Sequence, residues 1–99
     1  MKEKVMSFLG LAVRAGKVLS GVDIIASKIK SVSFIFLAND ASNNTKKEII
    51  NKCEYYHIEY CDLFTSEELN SAAGKINRKV YGIVDKNFSE NFKKLIRKV

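Results

Sequence analysis

The stretch Val32-Ser33-Phe34-Ile35-Phe36-Leu37-Ala38, running straight into Asn39-Asp40, decides the fold. It is short, nearly all β-branched, aromatic or aliphatic, and does not alternate with polar residues, which predicts a strand buried on both faces. Such a strand needs helices above and below it, and the flanking sequence supplies them. Upstream, Val5, Phe8, Leu9, Ala12 and Val13 recur at helical spacing up to a stop at Gly16. Lys17 to Ser20 reads as a short extended segment, and Val22, Ile25, Ile29 and Val32 resume helical spacing from a start at Ser20 or Gly21. Downstream, Thr45-Lys46-Lys47-Glu48 fits a capping box, for a helix that starts there or nearer Ser42, buries Ile49, Cys53 and Tyr56, and ends near His57. Residues 58–63 read as a second short strand. Thr65-Ser66-Glu67-Glu68 is another capping box, opening a helix whose apolar side is Leu69, Ala72, Ala73 and Ile76 and which Gly74 lets end. Lys79 to Val84 predicts a further strand, Asp85 a turn, and Ser89 the cap of a last helix carrying Phe92, Leu95, Ile96 and Val99.

Helices and strands thus alternate, which implies crossover connections and a small parallel or mixed sheet between helical layers: an α/β fold. With 99 residues the chain has room for one core and is expected to form a single domain over residues 1–99. Its 46% hydrophobic content argues against disorder, and neither proline nor any repeat or low-complexity stretch marks a linker. No apolar run approaches the roughly 18 residues of a membrane helix, and the opening segment does not read as a secretion signal. Cys53 and Cys61 are too few for a disulfide framework, so a reducing, cytoplasmic setting is expected.

Charge is unevenly distributed. The 17 Lys and Arg against 11 Asp and Glu leave +6 overall. Residues 1–33 hold six basic and two acidic groups, a net +4; residues 34–74 hold three and seven, a net −4; residues 75–99 hold eight and two, a net +6. If the two basic thirds fold to one side, the molecule presents a basic face suited to a polyanion and an acidic back; an ordinary solvated surface is the alternative.

Several local patterns suggest chemistry. Gly10 to Lys17 approximates a phosphate-binding loop, but it has five residues between its glycines, Val18 follows the lysine, and a helix precedes it, so it reads as a glycine-terminated helix end. Cys53, His57 and Cys61 lack the close cysteine pairs and fourth ligand of a structural zinc site, and Cys53 reads as a small core residue. His57, the sole histidine, has no nucleophile beside it in any catalytic pattern, so no enzyme activity is expected. Asp40 and Asp85 follow strands, at the edge where α/β sheets bind ligands. For Asp40, turn formation and hydrogen bonding to a partner both stay open. The most suggestive segment is Arg14-Ala15-Gly16-Lys17-Val18-Leu19-Ser20-Gly21-Val22-Asp23. Its glycines allow close backbone approach, a helix start offers free N–H groups, Arg14 and Lys17 suit phosphates, and Asp23 can accept a hydrogen bond from a base.

Taken together, Leu9-Gly10-Leu11-Ala12, Arg14-Ala15-Gly16-Lys17, Ser20-Gly21, Ala38 to Lys47, Lys52-Cys53, Glu68-Leu69, Ala73-Gly74-Lys75 and Ile83-Val84-Asp85 resemble, in order and spacing over nearly the whole chain, the bacterial YlxQ-like proteins of the superfamily of ribosomal large-subunit proteins seven-Ae and thirty-e. The resemblance implies a three-layer α-β-α sandwich around a small mixed sheet. It also implies non-catalytic binding of structured, kink-turn-containing RNA, ribosomal RNA among the candidates, with the ribosome or ribosomal proteins as further partners. No cofactor, metal, membrane or small-molecule substrate is expected. The implied contacts are Gly16, Lys17, Ser20, Gly21, Val22 and Asp23 for the tandem sheared G·A pairs, and the loop Gly74 to Lys79, with Lys75, Ile76, Arg78 and Lys79, for flipped-out bases. Asn39 and Asp40 would flank the same face, and Arg14 and Lys28 would add cations.

The sequence departs from the family at one place. Strong kink-turn binders carry Asn or Lys two positions after the glycine before helix two, Glu, Gln or Ser at three, and Lys at six. Here those positions are Asp23, Ile24 and Ser27, and Lys28 sits one step, about 100°, around the helix. Binding through phosphates and shape, with weaker base readout, is therefore expected. A second class of function, a protein-interaction module whose acidic middle docks a basic ribosomal or translation partner, also fits the charge pattern.

Overall fold

A computed structural model describes residues 2–98. The elements follow as α1 (Lys2–Arg14), β1 (Val18–Ser20), α2 (Val22–Ser27), a 3-10 turn (Ile29–Ser31), β2 (Phe34–Leu37), α3 (Asn43–Tyr56), β3 (Glu59–Cys61), α4 (Ser66–Ala73), β4 (Val80–Ile83) and α5 (Lys86–Ile96). The four strands form one sheet in the order β1-β4-β2-β3. The sheet is mixed: β2 and β3 run parallel, pairing Phe36 with Cys61, whereas β4 lies antiparallel to β1 and β2 and pairs Ser20 with Tyr81 and Phe36 with Tyr81.

Alternation along the inner strands sorts the helices into layers. Phe34 and Phe36 of β2 point toward Phe92 of α5, with ring centroids 6.2 and 4.9 Å away, and Phe8 of α1 joins the same cluster 4.8 Å from Phe92. Tyr81 of β4 reaches Asn70 of α4 on that side. The opposite face of β4 carries Gly82, where a Cβ would meet Ile25 of α2 and Val32, each at 3.3 Å. The bare backbone there lets α2 and the 3-10 turn lie directly on the sheet. Helices α1, α4 and α5 thus cover one face, and α2 and α3 the other, with β2 wholly buried between them. This is the expected three-layer sandwich.

Where the elements differ from the sequence reading, local hydrogen bonding explains why. The second helix does not reach Val32. Ser27 and Ser31 turn their hydroxyls back onto the carbonyls of Ile24 and Lys28, at 2.9 and 2.8 Å, in competition with helix propagation. The chain tightens into the 3-10 turn, and Val32 is already extended. Helix α3 is capped by Ser42, whose side chain accepts from the Thr45 amide at 3.2 Å, so Thr45 is its third residue and not its cap. Its buried stripe ends at Cys53: left-handed His57 reverses the chain, the Ile58 amide bonds the Cys53 carbonyl at 2.9 Å, and Ile58 takes the core position expected of Tyr56. The Thr65–Glu68 capping box is present as read. Ile76 lies beyond the end of α4 and is exposed. The last helix is capped four residues before Ser89, at Asp85, whose carboxylate already accepts from the Phe88 amide at 2.9 Å. Ser89 lies inside α5, buried, with its hydroxyl 2.6 Å from that of Ser33. Val99, expected on that helix, lies outside the described residues.

Candidate nucleic-acid interface

The chain leaves β1, β2 and β3 at one end of the sheet and enters β4 from that same end, so four loops converge there. Between them lies a cleft of 430 Å³ lined by Ser20, Gly21, Val22, Asp23, Ile24, Thr45, Asn77, Arg78 and Lys79. The turn into α2 and the loop before β4 are 50 to 60 residues apart in sequence, and their meeting depends on the β1–β4 pairing. Gly21 is the hinge of that meeting. It adopts φ 96°, ψ 144°, donates its N–H to the Val80 carbonyl at 3.0 Å, and accepts from the Ile25 amide at 3.1 Å. A Cβ on Gly21 would stand 3.4 Å from Arg78 Nη1, so the guanidinium lies over the glycine at the start of α2. Asn77, next to it, holds a positive φ of 57°, which aims the following Arg78 and Lys79.

Two hydrogen-bond networks fix this rim. In the first, Asp40 accepts from the Ser66 amide at 2.8 Å and the Ser66 hydroxyl at 2.6 Å, while Lys79 Nζ donates to Ser66 Oγ at 3.2 Å and lies 3.6 Å from Asp40 Oδ2. The two Ser66 hydrogen bonds, aided by Lys79, pull the Asp40 carboxyl down to about 2. Asp40 thus joins the loop after β2 to the first turn of α4 and engages Lys79. In the second, the Tyr81 hydroxyl bonds the Asn70 side-chain oxygen, and Asn70 Nδ2 donates to the Arg78 carbonyl at 3.1 Å. Tyr81 is fully buried, and burial pushes its phenol up to about 12. Neither Ser66 nor Asn70 stood out in the sequence. Each is an ordinary helix residue whose partner is remote in the chain. Asn77 alone carried a readable signal, as an asparagine in a polar turn.

The expected site residues separate into groups. Ser20, Gly21, Val22, Asp23, Arg78 and Lys79 come together in the cleft, and Asp40 is joined to it through Lys79, whereas Asn39 does not line it and donates its amide to the Phe64 carbonyl at 2.9 Å. Lys75 and Ile76 sit on the same loop as Arg78 but do not line the cleft, and Ile76 is 79% exposed. Gly16 and Lys17 are at the other end of β1, where the Lys17 carbonyl accepts from the Val84 amide at 2.9 Å, with the three residues of β1, a span of about 13 Å, between Lys17 and Gly21. Arg14 lines a separate groove between α1 and α4 with Glu68 and Ser71. Lys28 caps the far end of α2. Neither basic third gathers at the cleft: Lys2, Lys4 and Arg14 of the first lie on α1, on the same side of the sheet as α5. Five cations of the last third, Lys86, Lys93, Lys94, Arg97 and Lys98, are on or just beyond α5, across the sheet from α2 and α3.

Away from the cleft, Cys53 and Cys61 are buried free thiols, and burial raises the Cys53 thiol to about 11 and that of Cys61 in the same direction. His57 is the exposed left-handed residue ending α3. Among the described residues no three His, Cys, Asp or Glu side chains are grouped as a metal site.

Comparison with known proteins agrees with this architecture. Residues 3–93 match the model of the ribosomal protein L7Ae/L30e/S12e/Gadd45 family. The chain is 41% identical over 97 residues to RNA-binding protein YlxQ of Enterococcus faecium, covering 96% of this chain and 93% of that one. It is 36% identical over 90 residues to RNA-binding protein YlxQ of Bacillus subtilis (strain 168), covering 89% and 90%. Among solved structures, a protein of unknown function from Bacillus halodurans C superposes with a TM-score of 0.88 at 35% identity, covering 95% and 97% of the two chains. The Giardia lamblia 15.5kD RNA binding protein superposes with a TM-score of 0.77 over 95% and 82%, and at 14% identity shares the fold alone.

Proposed function

This chain belongs to the ribosomal protein L7Ae/L30e/S12e/Gadd45 family, and from that premise we propose that it binds structured RNA, without catalysis, in the cleft between the start of α2 and the loop before β4. The observation that carries the proposal is the Arg78 guanidinium lying over Gly21, which puts a cation, a bare backbone and a helix start within reach of one phosphate-bearing ligand. The RNA we propose is a kink-turn or a fold shaped like one, in ribosomal or other cytoplasmic RNA. Readout of its G·A pairs is weak: Ile24, 49% exposed on the cleft wall, offers neither donor nor acceptor, and the Ser27 hydroxyl is spent on the Ile24 carbonyl. Shape and phosphate contacts then carry most of the affinity.

Titration of a standard kink-turn duplex against the same duplex lacking its G·A pairs, over a range of salt, tests this. The intact kink-turn should bind the better of the two by less than about tenfold. Arg78→Glu should weaken both and flatten the salt slope by about one. Lys17→Glu, at the distant end of β1, should leave both affinities close to wild type. Equal effects of the two charge reversals would remove the cleft from the reading.

A further inference from the structure

At the far end of α3 the tyrosines Tyr55 and Tyr56 belong neither to the core nor to the cleft. Tyr55 is 77% exposed and Tyr56 37%, and their rings stand edge to face with centroids 4.8 Å apart. Single exposed aromatics are ordinary, but these two adjoin and are set between grooves. Tyr56 lines one of 690 Å³ together with Ser27, Lys28, Lys30 and Ser31. Both rings line a second of 450 Å³ with Glu48, Asn51 and Lys52. Three lysines and one carboxylate therefore face the pair, and none of these lysines is in an ion pair among the described residues. Glu54, about 100° around the helix from Tyr55, lines neither groove.

This patch is physically continuous with the cleft. Helix α2 starts in the cleft at Val22 and is capped by Lys28, and α3 has Thr45 in the cleft and ends at Tyr56. At 1.5 Å rise per residue, Thr45 and Tyr55 are about 15 Å apart along α3, the length of four or five stacked base steps. We propose that Tyr55 and Tyr56, with Lys28, Lys30 and Lys52, form a stacking platform for a single-stranded segment adjoining the structured RNA. The inference rests on the RNA-binding reading of the cleft. Aromatic faces stack any base while ammonium groups meet the backbone phosphates, so the platform is tolerant of sequence and sensitive to salt. The three lysines disfavour a basic polypeptide here, and the shared α2–α3 path from the cleft favours the same polyanion at both ends.

The test uses the full chain, a kink-turn duplex, the same duplex carrying an oligouridine extension on either strand in turn, and oligouridine alone. One of the extensions should tighten binding at least tenfold. Tyr55→Ala should abolish that gain and leave affinity for the bare duplex unchanged, whereas Tyr55→Phe should keep it. Because the chain has no tryptophan, oligouridine binding is also read directly as quenching of tyrosine emission. No gain from either extension, or a gain that survives Tyr55→Ala, overturns the platform while the cleft reading stands. Failure of wild type to bind the bare duplex overturns the cleft reading, and the platform is then decided by oligouridine: quenching lost in Tyr55→Ala supports it, and absent quenching overturns it.

Discussion

Replacing Gly21 by alanine tests whether one backbone conformation builds the interface. At φ 96°, ψ 144° the glycine occupies a region that L side chains essentially avoid, at a cost of about 1–3 kcal/mol. Relaxing to negative φ is not a free alternative, because the same residue donates to Val80 at 3.0 Å and accepts from Ile25 at 3.1 Å. The new Cβ itself adds little crowding, with its nearest atom, Arg78 Nη1, at 3.4 Å, but it stands under the guanidinium. The strain alone, at about 4–8 °C of Tm per kcal/mol for a domain of this size, lowers Tm by about 5–20 °C. Urea unfolding should show the same loss in midpoint with an unchanged m value, because the core is untouched. Ser20→Ala, next in the chain but outside the positive-φ positions, should stay within the roughly 0.5 kcal/mol scatter of surface substitutions. Kink-turn affinity of Gly21→Ala, measured well below its Tm, should fall with the displacement of Arg78. A Gly21→Ala protein as stable as wild type would refute the argument that this turn requires glycine.

Three further outcomes follow from the same geometry. Ile24→Glu with Ser27→Lys restores the family's polar pattern on an exposed stretch of α2. A charged hydrogen bond contributes about 1.5–3 kcal/mol, so kink-turn affinity should rise tenfold or more, with little change for the duplex lacking G·A pairs; an unchanged ratio in the titration would show that these positions do not face the base pairs. Asp40 has a native pKa below its unfolded value, so its contribution to stability is present above pH 4–5 and is lost as pH falls toward 2. Asp40→Asn should therefore be less stable than wild type at pH 7 and converge with it by pH 2 in denaturant melts, and a constant difference across that range would contradict the assignment. Tyr81 has a native pKa above its unfolded value, so its contribution holds below pH 10 and is lost as pH rises toward 12. Tyr81→Phe should cost about 0.5–1.5 kcal/mol at neutral pH, flatten the alkaline limb of the stability curve, and speed amide exchange in residues 75–79, whose Arg78 carbonyl Asn70 holds.

Much of the fold was legible because its elements are announced locally. The β2 run, the α1 stripe and the Thr65–Glu68 box each settle their own conformation within a few residues, and all three stand in the structure as read. The misplaced start of α5 and the start of α3, open between Thr45 and Ser42, share a cause. Ser42 and Asp85 are real caps that compete with Thr45 and Ser89 a few residues on, and sequence gives no rule for choosing between adjacent polar residues when the strand before them fixes where the turn falls. Tyr56 was assigned to the core by spacing alone, whereas the left-handed turn at His57 hands that position to Ile58.

The site was legible on its α2 side and much less so in its electrostatics. Counting charge along the chain assumes that neighbours in sequence remain neighbours in space, and β1 breaks that assumption: three extended residues separate Lys17 from the cleft that Gly21 helps form. Helix α5 takes most of the last basic third to the far layer. Within the cleft wall two cations remain, and Lys79 is already held by Asp40 and Ser66. Among the described residues Arg78 is thus the one uncommitted cation lining it, and the acidic Asp23 lines it too. A +6 chain whose candidate site holds so little net charge cannot owe selectivity there to long-range attraction. Selectivity at the cleft has to come from fit, from the bare backbone at Gly21 and the position of the 74–79 loop, which is why the hydrogen bonds that brace that loop from Asn70 and Ser66 matter as much as the residues that face the cleft.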